Sequence, residues 1–537
     1  MISENASTNT GYRRDLSLFN LVMLNAMGMI GSGWLFGSLY AVTYAGPLGA
    51  IFAWILGGIF VIFIAVNFME VSPMFPLAGG STPLAEMSHG KMTAFIAGWG
   101  AWLSDIMTPT IEAIALVTYA SFYIPELINS NGTLRPLGYL VAAIVMIIIF
   151  IINMQRVKIF GNITSAVMIW KWAVPVLAAV TILTVTFKPT NFVAFGPFTS
   201  TGPSGIFYAL VLGGIIFSFE GFRGAINMAG EVKKRDFIWK SVIIAIVAVM
   251  ALYVLLQIAF ISGINWASLG IKPGDWAGIS AGGYIAGPFA QEAAAVGLGW
   301  LVVILLIDAI ISPAGAGISY AAYPARIFQS MAEYGLAPKI FAKLNPKTHI
   351  PLNSLILGTI VGFAFLYEFP SWQLLVGILT STLIVAYVIG PAAVNVFRRT
   401  VPDKERPFKL PFSKILAPIG FILSFFIIYW SGYPLSLEVS VVLLAGIVMY
   451  LYFHLKNRFA RKHVTAGLWF VAGLIAIPIE SYIGPSSYGG INLVPFPFDF
   501  IMVAATGIIL YIWSQHSGWR TESLDNYIRN EKNSEAQ

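Results

Sequence analysis

Apolar runs long enough to cross a lipid bilayer recur along almost the whole of this 537-residue chain, and no other feature limits its fold so severely. A membrane helix needs about 20 largely apolar residues. Windows of that kind lie near 17–43, 46–70, 92–124, 137–153, 159–186, 204–230, 238–262, 290–320, 352–369, 372–397, 413–433, 437–455, 464–482 and 498–515. They predict fourteen spans. The 137–153 window is short, and Pro478, Pro485, Pro495 and Pro497 crowd the junction of the last two. A chain that is 58% hydrophobic and 10% charged, with mean hydropathy +0.80, cannot hide that much apolar surface in a water-soluble shape. The expected class is an all-α integral membrane protein embedded in the lipid bilayer.

Basic residues gather in alternate loops. They are Arg13/Arg14, Arg156/Lys158, Lys233/Lys234/Arg235/Lys240, Arg326/Lys339/Lys343/Lys347, Arg398/Arg399/Lys404/Arg406/Lys409, Lys456/Arg458/Arg461/Lys462 and Arg520/Arg529. The loops between hold few, chiefly Arg135, Lys188 and Lys272. The positive-inside rule then puts both termini in the cytoplasm, with the cell membrane as the location. The same rule accounts for the net charge of +7, so no nucleic-acid partner is implied. No small-residue cleavage site closes a short apolar region near the start, so the first helix reads as uncleaved. With no cysteine, disulfides, thiolate metal sites and cysteine nucleophiles are excluded. His89, His349, His454, His463 and His516 fall in loops or at helix ends, and none pairs with another at metal-ligand spacing. No HExxH, GxSxG or P-loop is present. An enzyme, a metal centre or a cofactor is therefore not expected.

The first apolar run is interrupted by GMIGSGW, Gly28 to Trp34. Lipid offers no hydrogen bonds to a broken backbone, so such a break must be buried in protein or line a cavity. The sixth run, IFYALVLGGIIFSFEGFRGAINMAGEVKK, carries a carboxylate, a glycine and a guanidinium at its centre, Phe217 to Arg223. By the loop charges the two runs point in opposite directions. Two interrupted helices five spans apart and oppositely directed predict a five-plus-five inverted repeat, with a binding site where the repeats meet.

These elements resemble the amino acid–polyamine–organocation superfamily of transporters. GMIGSGWLF at 28–36 resembles its GxIIGSGIF element on helix 1, and FSFEGF at 217–222 with GEVKK at 230–234 resembles its helix 6 element. The segment 324–354 resembles the loop after helix 8 at Arg326, Met331, Ala332, Gly335, Leu336, Pro338, Lys339, Pro346, Lys347, Pro351 and Asn353. The resemblance covers roughly 15–455. It implies a twelve-helix LeuT-like core over 15–455, flanked by a cytoplasmic tail at 1–14, two additional spans within 456–516, and a cytoplasmic tail at 517–537. Both tails are polar and expected to be mobile.

The resemblance also assigns roles. Ile30, Gly31, Ser32 and Gly33 would meet the α-carboxylate of an amino acid through backbone N–H groups. The positive end of the half-helix that starts near Gly33 agrees with this. Phe217, Ser218 and Phe219 would offer carbonyls to the ammonium, with Phe217 as an aromatic gate. Glu220, Gly221 and Arg223 complete the expected binding set. Lys171 is the most unusual charge in the chain, because a lysine inside the bilayer costs ~2.5–3.5 kcal/mol on insertion scales. Proton-coupled relatives carry a helix 5 lysine at this place, so Lys171 would take and release the proton that accompanies substrate.

Asp105 and Glu112 are seven residues apart and share a helix face. They either line a vestibule or proton route, or pair with a neighbouring basic group. Asp308 would face Lys171 across helices 5 and 8. Glu70, Glu86, Glu292 and Glu368 sit near helix ends and read as solvated. Arg223 favours a substrate whose side chain bears a carboxylate. Trp34, where isoleucine is common, is similar to the aspartate–proton symporter branch of the superfamily. The expected function is amino acid–proton symport with a lean to acidic amino acids. An exchanger on the same fold is the nearest rival, and a non-transporting amino acid sensor a more distant one.

Overall fold

The computed structural model describes residues 16–77, 79–154, 160–194, 202–227, 232–234, 236–281, 283–348 and 350–535. Among them the regular structure is helical, with two isolated bridges, Leu16–Val232 and Ile128–Leu134, and no strand. Nine described helices are long and apolar enough to cross a membrane, or ten if the bent pair Ser204–Val211 and Ile215–Ile226 is one span. Leu18–Met29, Leu352–Glu368 and Ser413–Tyr429 are apolar but shorter. Each window read from the sequence holds a helix, and the tally of fourteen stands as an expectation. The 43-residue helix Ser32–Met74 spans two windows. It bends at Gly46, φ 72° and ψ −179°, directly before Pro47. Proline cannot continue the hydrogen-bond ladder, and only glycine takes that φ without strain.

Side chains divide between lipid and interior. On Pro136–Asn153, Leu140, Ile144, Ile147, Ile148 and Ile151 point outward, while Gly138, Ala142, Met146 and Ile149 point inward at helical spacing. Deep in the bundle Trp34, Trp54, Tyr253 and Tyr387 are buried. The helix Lys91–Ala120 lies along Gly299–Glu333 and against Trp372–Tyr387, making one wall of the centre.

The first and sixth helices pass each other antiparallel in a nearly fixed register. Leu16 bridges to Val232, and the Asn25 side chain accepts the Ala225 N–H at 2.7 Å. Gly28 meets Gly221, and Gly33 meets Ser218. The chain therefore enters the first helix beside the place where it leaves the sixth, as an inverted repeat requires.

Alternate loops gather at one end of the bundle. Lys91 reaches the Tyr334 carbonyl, Asn457 the Gly335 carbonyl, and the Lys91 N–H meets His463. Trp239 packs against Phe408, and Lys404 pairs with Glu531. Arg13, Arg14, Arg156, Lys158, Arg235, Gly230, Glu231 and His349 lie outside the described residues.

Two expectations fail here. Of the four glutamates read as solvated, only Glu368 is exposed. Glu70 is fully buried: Arg398 donates to both its oxygens at 2.9 and 2.6 Å, the Leu410 N–H at 2.7 Å, and Arg406 stands 3.3 Å away. Glu86 is buried 3.4 Å from Lys91, and Glu292 is buried with neither oxygen hydrogen-bonded. Nearness to a helix end is a poor guide to solvation when other loops close over that end. The C-terminal tail is not loose through its described length either. Glu522–Glu535 is a helix whose Leu524 is fully buried, and Tyr527 packs on Phe75.

Candidate functional site

The first break is short. The helix Leu18–Met29 ends, Ile30 and Gly31 leave helical geometry, and a new helix starts at Ser32. Both Ile30 and Gly31 are buried, so every freed backbone group needs a partner from within the protein. The Met27 carbonyl accepts from the Lys171 ammonium at 3.0 Å, and the Met29 carbonyl from the Tyr253 hydroxyl at 2.7 Å. The Ser32 N–H donates to both carboxylate oxygens of Glu112, at 3.1 and 3.3 Å. The Ser32 hydroxyl accepts from the Trp372 indole at 2.8 Å.

The sixth helix bends earlier than its charges predict. Ser204–Val211 stops, Gly214 takes φ 76°, and the chain resumes at Ile215 with a 49° turn. A Cβ on Gly214 would also strike Trp372 at 2.7 Å. The expected centre is loosened rather than open: Ile215–Ser218 is α-helical, Glu220–Phe222 is a 3₁₀ turn, and Arg223–Asn227 continues. The carbonyls expected to be free for an ammonium are partly engaged. That of Ser218 accepts from Tyr253 at 3.3 Å and that of Phe219 from the Phe222 N–H at 3.4 Å. Phe217 keeps its place at the break, edge-on to Trp372 with centroids 6.1 Å apart. Phe219 instead packs on Trp54 and Tyr253. Gly33 admits the close crossing, since a Cβ there would lie 2.2 Å from the Ser218 Oγ.

The buried charges sort into two groups. Asp105 and Arg223 form an ion pair at 2.9 Å, with the guanidinium over the Tyr387 ring at 5.6 Å. Asp105 thus meets a basic group on the sixth helix. Lys171, Glu112 and Asp308 form the second group. Lys171 is 1% exposed and interacts electrostatically with Glu112 and Asp308. Neither carboxylate comes within ion-pairing distance of its ammonium among the described residues. Asp308 accepts from the Ser312 hydroxyl at 2.8 Å. Glu220 is 2% exposed, and neither of its oxygens makes a hydrogen bond, although the Tyr320 hydroxyl stands beside it.

Between these groups lies a small cavity lined by Gly28, Met29, Gly31, Thr108, Glu112, Phe217, Glu220 and Tyr320. A larger one, among Ile106, Pro109, Met146 and Gly362, has no charged group in its wall. Thus the structure brings Gly31, Phe217, Glu220 and Glu112 to one cavity. Ile30, Ser32, Gly33, Ser218 and Gly221 lie in the crossing around it, and Lys171 and Asp308 lie to one side. Tyr253, Tyr320, Trp372 and the Met27 carbonyl are parts that sequence reasoning missed. Only the Gly213-Gly214 pair carried a signal, as a glycine doublet inside an apolar run.

Comparison with known proteins fits this geometry. The sequence model of a family described as amino acid permease matches residues 16–453. The chain is 35% identical over 523 residues to the glutamate/serine transporter AimA of Bacillus subtilis, covering 95% of each. It is 31% identical over 530 residues to the aspartate-proton symporter of the same organism, covering 97% of this chain and 99% of that one. It is 26% identical over 473 residues to the arginine/ornithine antiporter ArcD1 of Lactococcus lactis, covering 82% and 84%. These relatives are membrane transporters rather than enzymes.

Proposed function

Because the chain belongs to the amino acid permease family, we propose that it moves amino acids across a cell membrane by proton symport, through alternating access to the cavity between its two broken helices. The observation that carries the proton assignment is Lys171. Its ammonium rests on the Met27 carbonyl at the first break, beside the helix that bears Asp308 and Gly315. An ammonium inside the bilayer without an ion-pairing partner is held at high cost, which favours a group that exchanges a proton in each cycle. Both termini are assigned to the cytoplasm, supported by the gathering of basic loops at one end.

The substrate lean is to acidic amino acids. It is supported by relatives named for glutamate/serine and for aspartate. Within the site, Asp105 already holds Arg223, so a side-chain carboxylate would share that guanidinium rather than claim it alone. Purified protein in liposomes tests the reading, with labelled aspartate, glutamate, serine and lysine under imposed pH gradients. Inward acid-driven uptake of aspartate or glutamate is the expected result, and Lys171→Ala abolishes the gradient-driven component. Uptake by Lys171→Ala that still follows the pH gradient would refute the role of the lysine. Exchange is the second reading, supported by the antiporter relative. It predicts that uptake requires amino acid preloaded inside the liposome.

A further inference from the structure

We infer that the Glu112 carboxylate is a tethered stand-in for the carboxylate of the substrate: it occupies the helix terminus that an incoming amino acid needs, and loading proceeds by its displacement. The inference rests on the amino acid reading above and deepens it.

The helix Ser32–Met74 presents its positive end to the cavity, and an anion is the natural occupant of such an end. That end is filled. Both oxygens of Glu112 lie within 3.1 and 3.3 Å of the Ser32 nitrogen. The residue that would normally cap this helix is Gly31, which has no side chain to offer. The carboxylate comes instead from the helix Lys91–Ala120, 80 residues along the chain. A Cβ on Gly31 would lie 2.7 Å from Glu112 Oε1, so the bare glycine is what lets a carboxylate approach. A serine, asparagine or aspartate here would cap the helix locally but close that approach.

An independent observation points to a ligand at the same cavity. Glu220 lines it with both oxygens unpaired and 2% exposure. A buried carboxylate without hydrogen bonds is poised for a donor cation, and an amino acid supplies an ammonium. The cavity therefore has two ends suited to a zwitterion. The cationic end is open to an ammonium, and the anionic end already holds a carboxylate that belongs to the protein. Two carboxylates cannot share this one helix terminus against their mutual repulsion.

The test uses the full-length protein in detergent, as wild type, Glu112→Ala and Glu112→Gln. First, melting temperature is measured in sodium formate and in sodium chloride at equal ionic strength. Formate fills the vacated seat, so Glu112→Ala is expected to melt higher in formate than in chloride, while wild type shows no difference. Second, binding of labelled glutamate, aspartate and serine is measured. Glu112→Ala is expected to bind about 10-fold tighter than wild type, the factor corresponding to one ordinary increment of binding energy, with formate competing. Glu112→Gln keeps the shape without the charge and is expected to bind tighter than wild type as well. Equal melting of Glu112→Ala in the two salts overturns the inference. So does amino acid binding by Glu112→Gln that equals or falls below wild type, and this arm decides alone if Glu112→Ala does not fold. Formate rescue with no amino acid bound by any form upholds the carboxylate seat and sinks the amino acid reading instead.

Discussion

Replacing Gly221 with alanine gives a sharp test of the antiparallel crossing. A Cβ on Gly221 would lie 2.3 Å from the carbonyl carbon of Gly28 and from the Met29 nitrogen, and 2.8 Å from the Asn25 oxygen. Ordinary contact begins at 3.4 Å, so the two helices are too close by about 1 Å. All three obstacles are backbone, and no rotamer change relieves them. Overpacking costs ~1–3 kcal/mol, and this site belongs at the upper end, about 3 kcal/mol. The mirror substitution, Gly28→Ala, is milder. Its Cβ meets the Gly221 Cα at 3.0 Å and the next atoms only at 3.5 Å, for about 1 kcal/mol. Separating the helices would also draw the Met27 and Met29 carbonyls away from Lys171 and Tyr253. Gly221→Ala is therefore expected to lose both thermal stability in detergent and amino acid uptake in liposomes, with Gly28→Ala between it and wild type. Wild-type melting and uptake in Gly221→Ala, or a larger loss in Gly28→Ala, would refute the packing argument.

Other substitutions probe the buried charges. Asp105→Ala strands the Arg223 guanidinium and is expected to cost ~3–5 kcal/mol of stability. Removing the charge of Arg223 as well recovers most of that loss, read as a double-mutant cycle on the melting curve. His89, outside the spans, is buried between the Ser88 hydroxyl and the Ser514 carbonyl, and burial lowers its pKa to about 4. Between that value and the unfolded value of 6.5, the unfolded chain binds a proton that the folded protein does not. Stability present above pH 6.5 is thus lost as the pH falls toward 4, by about 3 kcal/mol in all. His89→Gln is expected to flatten this part of the dependence in melting curves taken at each pH.

The membrane class and the antiparallel helix pair were legible because each rests on a local signal. GMIGSGW breaks a pattern that lipid otherwise enforces, and Lys171 stands out by sheer cost. The sixth helix was harder. Its conspicuous residues, Glu220 and Arg223, drew attention to the centre, whereas the sharp bend belongs to the uncharged Gly213-Gly214 doublet. Glu70 was misread because its partners, Arg398 at the end of the helix Ile389–Thr400 and Arg406 in the loop after it, lie more than three hundred residues away. Tyr253 and Trp372 were invisible for a related reason. An aromatic residue in an apolar run looks like any other, and only the fold turns its polar atom toward a broken backbone. Asp105 and Glu112 share a face as predicted, yet the spacing could not tell that one would meet a guanidinium and the other a helix terminus.

The Tyr253 hydroxyl has one hydrogen and two claimants, the Met29 carbonyl at 2.7 Å and the Ser218 carbonyl at 3.3 Å. It cannot serve both fully. Whichever break yields its carbonyl hands the bond to the other, so the phenol works as an arbiter between the two halves of the repeat. The two interruptions thus share one donor, and drawing them apart leaves one of the two carbonyls to find another partner.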